Sequence, residues 1–227
     1  MATATQTALK TVITADNPAD GYNTPEDRRS MRSKRMLREA FAQLIEECGL
    51  DGFSISDLTE RADLNRGTFY AHYKDKDDLL HCSENEIIDS LGDFERRMKE
   101  VTLRELLTVV ATGRPPYVAV ELFDVLREHG VLLRVLLGPR GDAAFQVRLR
   151  ELVCANLVRG VLHQKYRDNP TPLVEYYVSY YASAHLGLLQ RWLERGMAET
   201  SEEMARIMVS IMFLKPGDPI ELKGKNK

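Results

Sequence analysis

Residues 54–80 read SISDLTERADLNRGTFYAHYKDKDDLL. Ile55, Leu58 and Ala62 recur on one side of a short helix, and Ser54 is placed to cap it with its side-chain oxygen. Asp63-Leu64 interrupts the pattern. Asn65 then caps a second short helix that bears Phe69 and Tyr73 at i and i+4 on one face. Asp75 caps the next helix, along which Leu79, Leu80, Ile87, Leu91, Phe94 and Met98 form a stripe for burial. Two short helices joined by a three-residue turn, packed through Ile55, Leu58, Leu64 and Phe69, have the layout of a helix-turn-helix.

Outward from this stretch the periodicity stays helical. Upstream, Leu37, Ala40, Phe41, Leu44, Ile45 and Cys48 predict one apolar face of a helix starting near Arg28 and closed by Gly49. Residues 1–27 lack apolar periodicity and read as a disordered tail. Downstream, Pro115-Pro116 predicts a helix running to about His129. A second runs from about Asp142 to Tyr166 with Phe145, Leu149, Leu152, Val153, Leu157 and Val161 inward. Thr171-Pro172 starts a third that ends near Gly196, and Thr200 with Glu203 is a capping box for the last, which stops before Pro216-Gly217. The expectation is an all-α chain: a helix-turn-helix unit over 28–91 (motif about 54–73), a C-terminal helical bundle over 92–215, and a tail over 216–227.

Composition narrows the possibilities. The chain has 227 residues, 31 basic and 34 acidic, with 44% hydrophobic residues, as in an ordinary globular protein. No apolar run reaches the roughly 18–20 residues of a membrane span, so no membrane association is expected. Residues 1–13 have no secretory pattern, and Cys48, Cys82 and Cys154 form no CxxC, which favours a reducing cytoplasm. His81, His129, His163 and His185 lack partners at metal-ligand spacing. Neither a metal nor a cofactor is expected, and with no nucleophile–base pair or phosphate loop, nor is an enzyme.

A helix-turn-helix lays its second helix in a DNA major groove while the first crosses the backbone. Small residues and side-chain donors on the outward face suit that approach, and Arg66, Gly67, Thr68, Tyr70 and His72 supply them. The segment from about Met31 to Leu91 resembles the N-terminal domain of TetR-type transcriptional regulators. The likeness is carried by Phe41, Gly49-x-x-x-Phe53-Ser54, Ile55, Leu58, Ala62, Leu64, Gly67-Thr68-Phe69-Tyr70, His72-Tyr73 and Lys76-x-x-Leu79. It implies phosphate contacts from Ser54, Ser56 and Lys76, and recognition-helix contacts from Arg66, Gly67, Thr68, Tyr70 and His72. Arg32, Asn65 and Lys74 complete the DNA-facing set. Two positions depart from the pattern, Asp63 where the turn carries Gly and Tyr73 in place of Phe; Asp tolerates a left-handed backbone. The C-terminal half resembles the short type of some Gram-positive regulators.

Charge is a local matter. Between Glu26 and Asp78 ten basic residues face twelve acidic ones, yet Arg28–Arg38 holds six cations and no acid. Such a run can reach flanking phosphate or a minor groove. In the C-terminal half, Tyr176, Tyr177, Tyr180 and Tyr181 form i, i+4 pairs on one helix, with Ala182, Ser183, Ala184 and Gly187 thin enough for close helix approach. Core and homodimer contact is one reading of them. Effector contact is the other, for which Tyr117, Phe123, Phe145, Tyr177, Tyr181 and His185 are candidates. The expected function is a homodimeric, effector-responsive repressor on a palindromic double-stranded DNA operator. The rival is a coregulator that keeps the fold and acts through a protein partner.

Overall fold

The computed structural model describes residues 24–98, 104, 108, 112–160 and 171–212. Those residues are helical between short turns, with no strand among them, so the fold is all-α. The helices with defined bounds are α1 (Pro25–Cys48), α2 (Ile55–Arg61), α3 (Arg66–Tyr70), α4 (Lys76–Met98), α5 (Tyr117–Glu128), α6 (Gly130–Leu136), α7 (Ala143–Gly160), α8 (Pro172–Glu194) and α9 (Ser201–Met212). The stretches 1–23, 161–170 and 213–227 lie outside the described residues, and with them most of the predicted N-terminal tail, Val161, His163 and the predicted C-terminal tail.

Capping chemistry sets the helix starts. Thr24 and Asp27 form a capping box around Pro25 at the first helical position, so α1 begins three residues before the Arg28 that apolar periodicity indicates. Ser54 and Asp57 box the start of α2, Asn65 caps α3, Asp75 accepts from the Asp78 N–H at the start of α4, and Thr200 with Glu203 boxes α9. Leu37, Ala40, Phe41, Leu44 and Ile45 are buried as their spacing requires, but Cys48 is exposed because α1 unwinds at Gly49 before its stripe completes another turn. The helix predicted from Pro115-Pro116 ends at Glu128. A separate short helix, α6, follows at once from Gly130, where an added Cβ would collide with the Met197 side chain.

Helix α1 packs on α2 and α6, α2 packs on α3, α4 on α5 and α7, α8 on α6 and α7, and α9 on α5. One apolar core runs through these contacts from Phe41, Leu58 and Phe69 to Leu133, Phe145 and Trp192. Trp192 stacks edge-on against Phe123, lies under the Arg127 guanidinium, and donates its indole N–H to the Glu199 carbonyl at 3.1 Å. Arg127 in turn donates to the Met197 and Glu199 carbonyls, fastening the α8–α9 turn.

Three arginines hold the end of α1. Arg61 of α2 pairs bidentately with Glu47 at 2.8 and 2.9 Å. Arg134 of α6 reaches Glu46 at 2.7 Å, and Arg140 of the α6–α7 turn donates to the Glu46 and Glu47 carbonyls. Midway along α1, Arg38 pairs bidentately with Glu86 of α4. The helix-turn-helix is thus seated on the body through α1 as well as through the continuous α4.

One buried acid joins α4 to α7. Glu84 is 2% exposed, pairs with Arg148 at 3.1 Å, and lies beside the Asp142 carboxyl that caps α7. Burial first, then the like charge of Asp142, pushes its pKa above the usual 4.5. A raised pKa means that the folded state holds this proton more tightly than the unfolded chain does. The resulting stabilisation is fully present below about pH 4.5, the unfolded value, and is lost as pH rises through the folded one. We expect the melting temperature of the wild type, measured against that of Glu84→Gln, to fall across this window. Parallel curves for the two proteins would show that Glu84 does not carry the effect.

Candidate nucleic-acid interface

The site is built on α2, the turn and α3. Asp63 takes φ = 51°, the left-handed conformation that the turn demands, and Leu64 N–H donates back to the Thr59 carbonyl at 2.9 Å. Phe69 (0% exposed) points inward from α3, which turns Arg66, Gly67 and Tyr70 outward. Helix α3 ends at Tyr70, so Tyr73 (4%) lies beyond the helix expected to bear it, held inward by its N–H on the Phe69 carbonyl at 2.9 Å. The Tyr73 hydroxyl, the extra group relative to Phe, lies beside the Arg38 guanidinium, and burial raises its pKa. Tyr70 is 57% exposed, its ring edge-on to Phe69 at 5.4 Å, so its base is fixed while its face is open.

The sequence-predicted residues separate by what already engages them. Arg32, Arg66 and Lys74 are exposed, and neither Arg66 nor Lys74 forms an ion pair among the described residues. Asn65 Oδ1 accepts from the Thr68 N–H at 2.8 Å and from its hydroxyl at 3.2 Å, leaving the Asn65 amide N–H₂ for an outside acceptor. Gly67 is exposed beside that cap, and a Cβ there would sit 3.1 Å from Asn65 Oδ1. Ser54 donates its hydroxyl proton to Asp57 at 2.8 Å, which places a carboxylate at the very helix start read as a phosphate seat. Ser56, in the first turn of α2, is half-buried, its carbonyl accepting from the Thr59 hydroxyl.

Lys76 differs most from a free phosphate ligand. Its ammonium donates to the Leu50 and Phe53 carbonyls at 2.6 and 3.1 Å and sits 4.6 Å over the Phe53 ring. Two of its three protons thus hold the α1–α2 loop to the start of α4. His72 is half-buried; burial first, and then the charge of Lys34, lowers its pKa, so at neutral pH it offers a neutral ring and not a cation. Lys34 of α1 is thus near enough to His72, just past the end of α3, for its charge to act there. Sequence reading left Lys34 out of the DNA-facing set, although it belongs to the Arg28–Arg38 run. Of that run, Arg35 and Arg38 are paired to Glu39 and Glu86.

The six effector candidates do not converge. Phe123 (3% exposed) and Phe145 (0%) are core residues, and Tyr117 is 74% exposed at the start of α5. Tyr177, Tyr181 and His185 form a row along α8, with the Tyr177 and Tyr181 rings 4.5 Å apart and His185 Nδ1 2.6 Å from the Tyr181 carbonyl. None of the six lines either cleft described among these residues, of about 380 Å³ at α5–α9 and about 480 Å³ at α1–α6–α8.

Among the described residues no helix is long and apolar enough to cross a membrane. Residues 37–81 match the model of the family described as bacterial regulatory proteins, tetR family, and residues 115–214 match that described as transcriptional regulator C-terminal region. A curated relative, the uncharacterized HTH-type transcriptional regulator YxbF of Bacillus subtilis (strain 168), is 34% identical over 96 residues, 37% of this chain. The match spans only about a quarter (25%) of that relative's length. Among solved structures, a TetR transcriptional regulator from Streptococcus agalactiae 2603V is 20% identical at a TM-score of 0.46, covering 82% of this chain and 96% of its own. The dihydroxyacetone kinase operon activator DhaS is 17% identical at a TM-score of 0.49, covering 79% and 93%. FadR from Bacillus subtilis, in complex with stearoyl-CoA, is 14% identical at 0.48, covering 78% and 96%. An N-terminal segment that matches the tetR family over its helix-turn-helix, followed by a regulator-type C-terminal region, makes this chain a member of the TetR family of transcriptional regulators.

Proposed function

We propose that the chain is a sequence-specific repressor that binds a palindromic operator as a homodimer and releases it in response to a small-molecule effector. The observation that carries this reading is the outward face of α3, where exposed Arg66, Gly67 and Tyr70 stand on a capped, fully buried base, with Lys34 alongside. Two-fold symmetry would set the two recognition helices about 34–36 Å apart, or a multiple, in successive major grooves. The dimer contact in this reading is α8 with α9. Tyr176 and Tyr180 are 76% and 71% exposed on one stripe of α8, and nothing lies within 4 Å of a Cβ added at Gly187, so a second helix can approach closely there. Operator release requires an effector that binds the non-DNA-binding arrangement more tightly than the binding one.

The test is selection of bound duplexes from a random pool at two salt concentrations. An enriched palindrome that survives the higher salt supports the reading; recovery of salt-sensitive random DNA only points instead to a coregulator acting through a protein partner. On the selected operator, Tyr70→Ala is expected to weaken binding about tenfold or more while leaving stability within about 0.5 kcal/mol, as for other exposed positions. Unchanged affinity would remove Tyr70 from the interface. Asp63→Gly removes a negative charge beside DNA and the cost of a left-handed non-glycine residue, about 1 kcal/mol. It should raise affinity for any duplex without lowering the melting temperature. A loss of affinity would mean that the Asp63 side chain itself shapes the turn.

A further inference from the structure

Where α1 ends against the α6–α7 turn and the last turns of α8, the surface folds into a cleft of about 480 Å³, within the range that holds small organic ligands. Its walls include Ile45, Val135, Leu137 and Leu193, each less than a tenth exposed, which gives an apolar floor. Around it stand Glu46, Arg134, Arg140, Gln190 and Glu194. These polar groups are not equivalent. Arg134 is neutralised by Glu46 at 2.7 Å, and Glu194 faces Arg191 at 3.3 Å. Gln190 donates to the Leu137 carbonyl at 3.1 Å and keeps its amide oxygen as an acceptor.

Arg140 stands apart. Its Nη1 engages the main-chain oxygens of Glu46 and Glu47, at 3.1 and 2.7 Å, which are neutral, so its charge has no carboxylate against it in these contacts. An arginine so placed beside an apolar floor suits a ligand with an anionic head and a short apolar body. With Glu46 and Glu194 each paired to an arginine, Arg140 leaves a single positive charge on this rim, which matches a singly charged head better than a doubly charged one such as phosphate.

We propose that this cleft binds a small monocarboxylate, its carboxylate on Arg140 and its apolar body over Ile45, Val135, Leu137 and Leu193. The guanidinium that would receive the ligand also holds the end of α1. Occupancy is therefore coupled to the seating of the helix-turn-helix on the body, in both directions. The site stands on the geometry of this seam and not on the DNA reading.

The test uses the full chain without DNA. Hexanoate and benzoate are titrated by calorimetry, with hexylamine as a probe of like size and opposite charge. Saturable one-to-one binding of either acid and none of hexylamine is expected. Arg140→Gln should weaken it at least tenfold, the loss of one charge-assisted hydrogen bond. Pro139→Trp, an exposed position whose ring would close the cleft while leaving every arginine in place, should do the same, with a wild-type melting temperature. Tyr177→Ala, on the aromatic row of α8, should change nothing. No saturable binding, equal binding of hexylamine, or binding that survives both cleft substitutions overturns the proposal, as does loss with Tyr177→Ala. A failed operator selection leaves this result untouched, so the two readings fail separately.

Discussion

Phe69→Ala is expected to destabilise the protein by about 3–5 kcal/mol, the usual cost of deleting a buried phenyl ring, and to abolish operator binding. Phe69 is the only fully buried side chain of α3, a helix of five residues (Arg66–Tyr70) that cannot hold its shape by backbone hydrogen bonds alone. Its ring meets Tyr70 and Tyr73 and belongs to the core that Leu58 and Phe41 share. Without it α3 loses its anchor, and the outward face goes with it. The neighbouring Tyr70→Ala should affect DNA binding with almost no change in melting. Chemical denaturation of both variants gives the contrast directly. Equal, small losses of stability would mean that α3 is held by its Asn65 cap and not by Phe69.

Trp192→Ala should be as costly, about 3–5 kcal/mol, for reasons spread over three contacts. The indole is 2% exposed, stacks on Phe123 at 5.4 Å, supports the Arg127 guanidinium at 5.0 Å, and donates to the Glu199 carbonyl. Truncation leaves a large void, removes one of the two donors to the Glu199 carbonyl, and deprives Arg127 of the surface it lies on. Trp192→Phe keeps most of the volume but loses the N–H, and should fall between the two. Because α9 is tied to α8 through the same Arg127 and Glu199 contacts, proteolysis in the 195–200 turn is expected to accelerate in Trp192→Ala. If Trp192→Phe proves as damaging as Trp192→Ala, the hydrogen bond and not the packing dominates.

Much of the fold was legible in particular residues. Ser54, Asn65, Asp75 and Thr200 are short polar side chains one position before an apolar period, and each caps the helix it precedes. Thr24-Pro25-x-Asp27 carried the same signal and lay in plain view, but apolar periodicity starts only at Leu37 and drew the helix start inward. Helix α6 was invisible for a different reason. Its residues, Gly130–Leu136, are apolar almost all round and too short to show a period, so only the burial of Leu132, Leu133, Val135 and Leu136 against α1 and α8 defines them.

The candidate site divides the same way. Local sequence placed Phe69 and Tyr73 inward and Tyr70 outward, because four residues on a helix return to the same face. It could not tell which polar groups would already be engaged. Lys76 is held by carbonyls 23 and 26 residues earlier in the chain, Ser54 by an aspartate three residues on, and His72 is discharged by burial beside Lys34. The effector candidates follow the same logic: an aromatic residue carries its period in the sequence, but whether it faces a cavity depends on what packs over it. Phe123 and Phe145 are covered, and Tyr117 faces solvent. By itself the sequence determined most of the helices, the caps at Ser54, Asn65, Asp75 and Thr200, and the inward face of the motif, since these depend on residues within about one turn of each other. The tertiary structure alone decided which charges remain free and where an apolar cleft opens, since hydrogen bonds and burial join residues far apart in the chain.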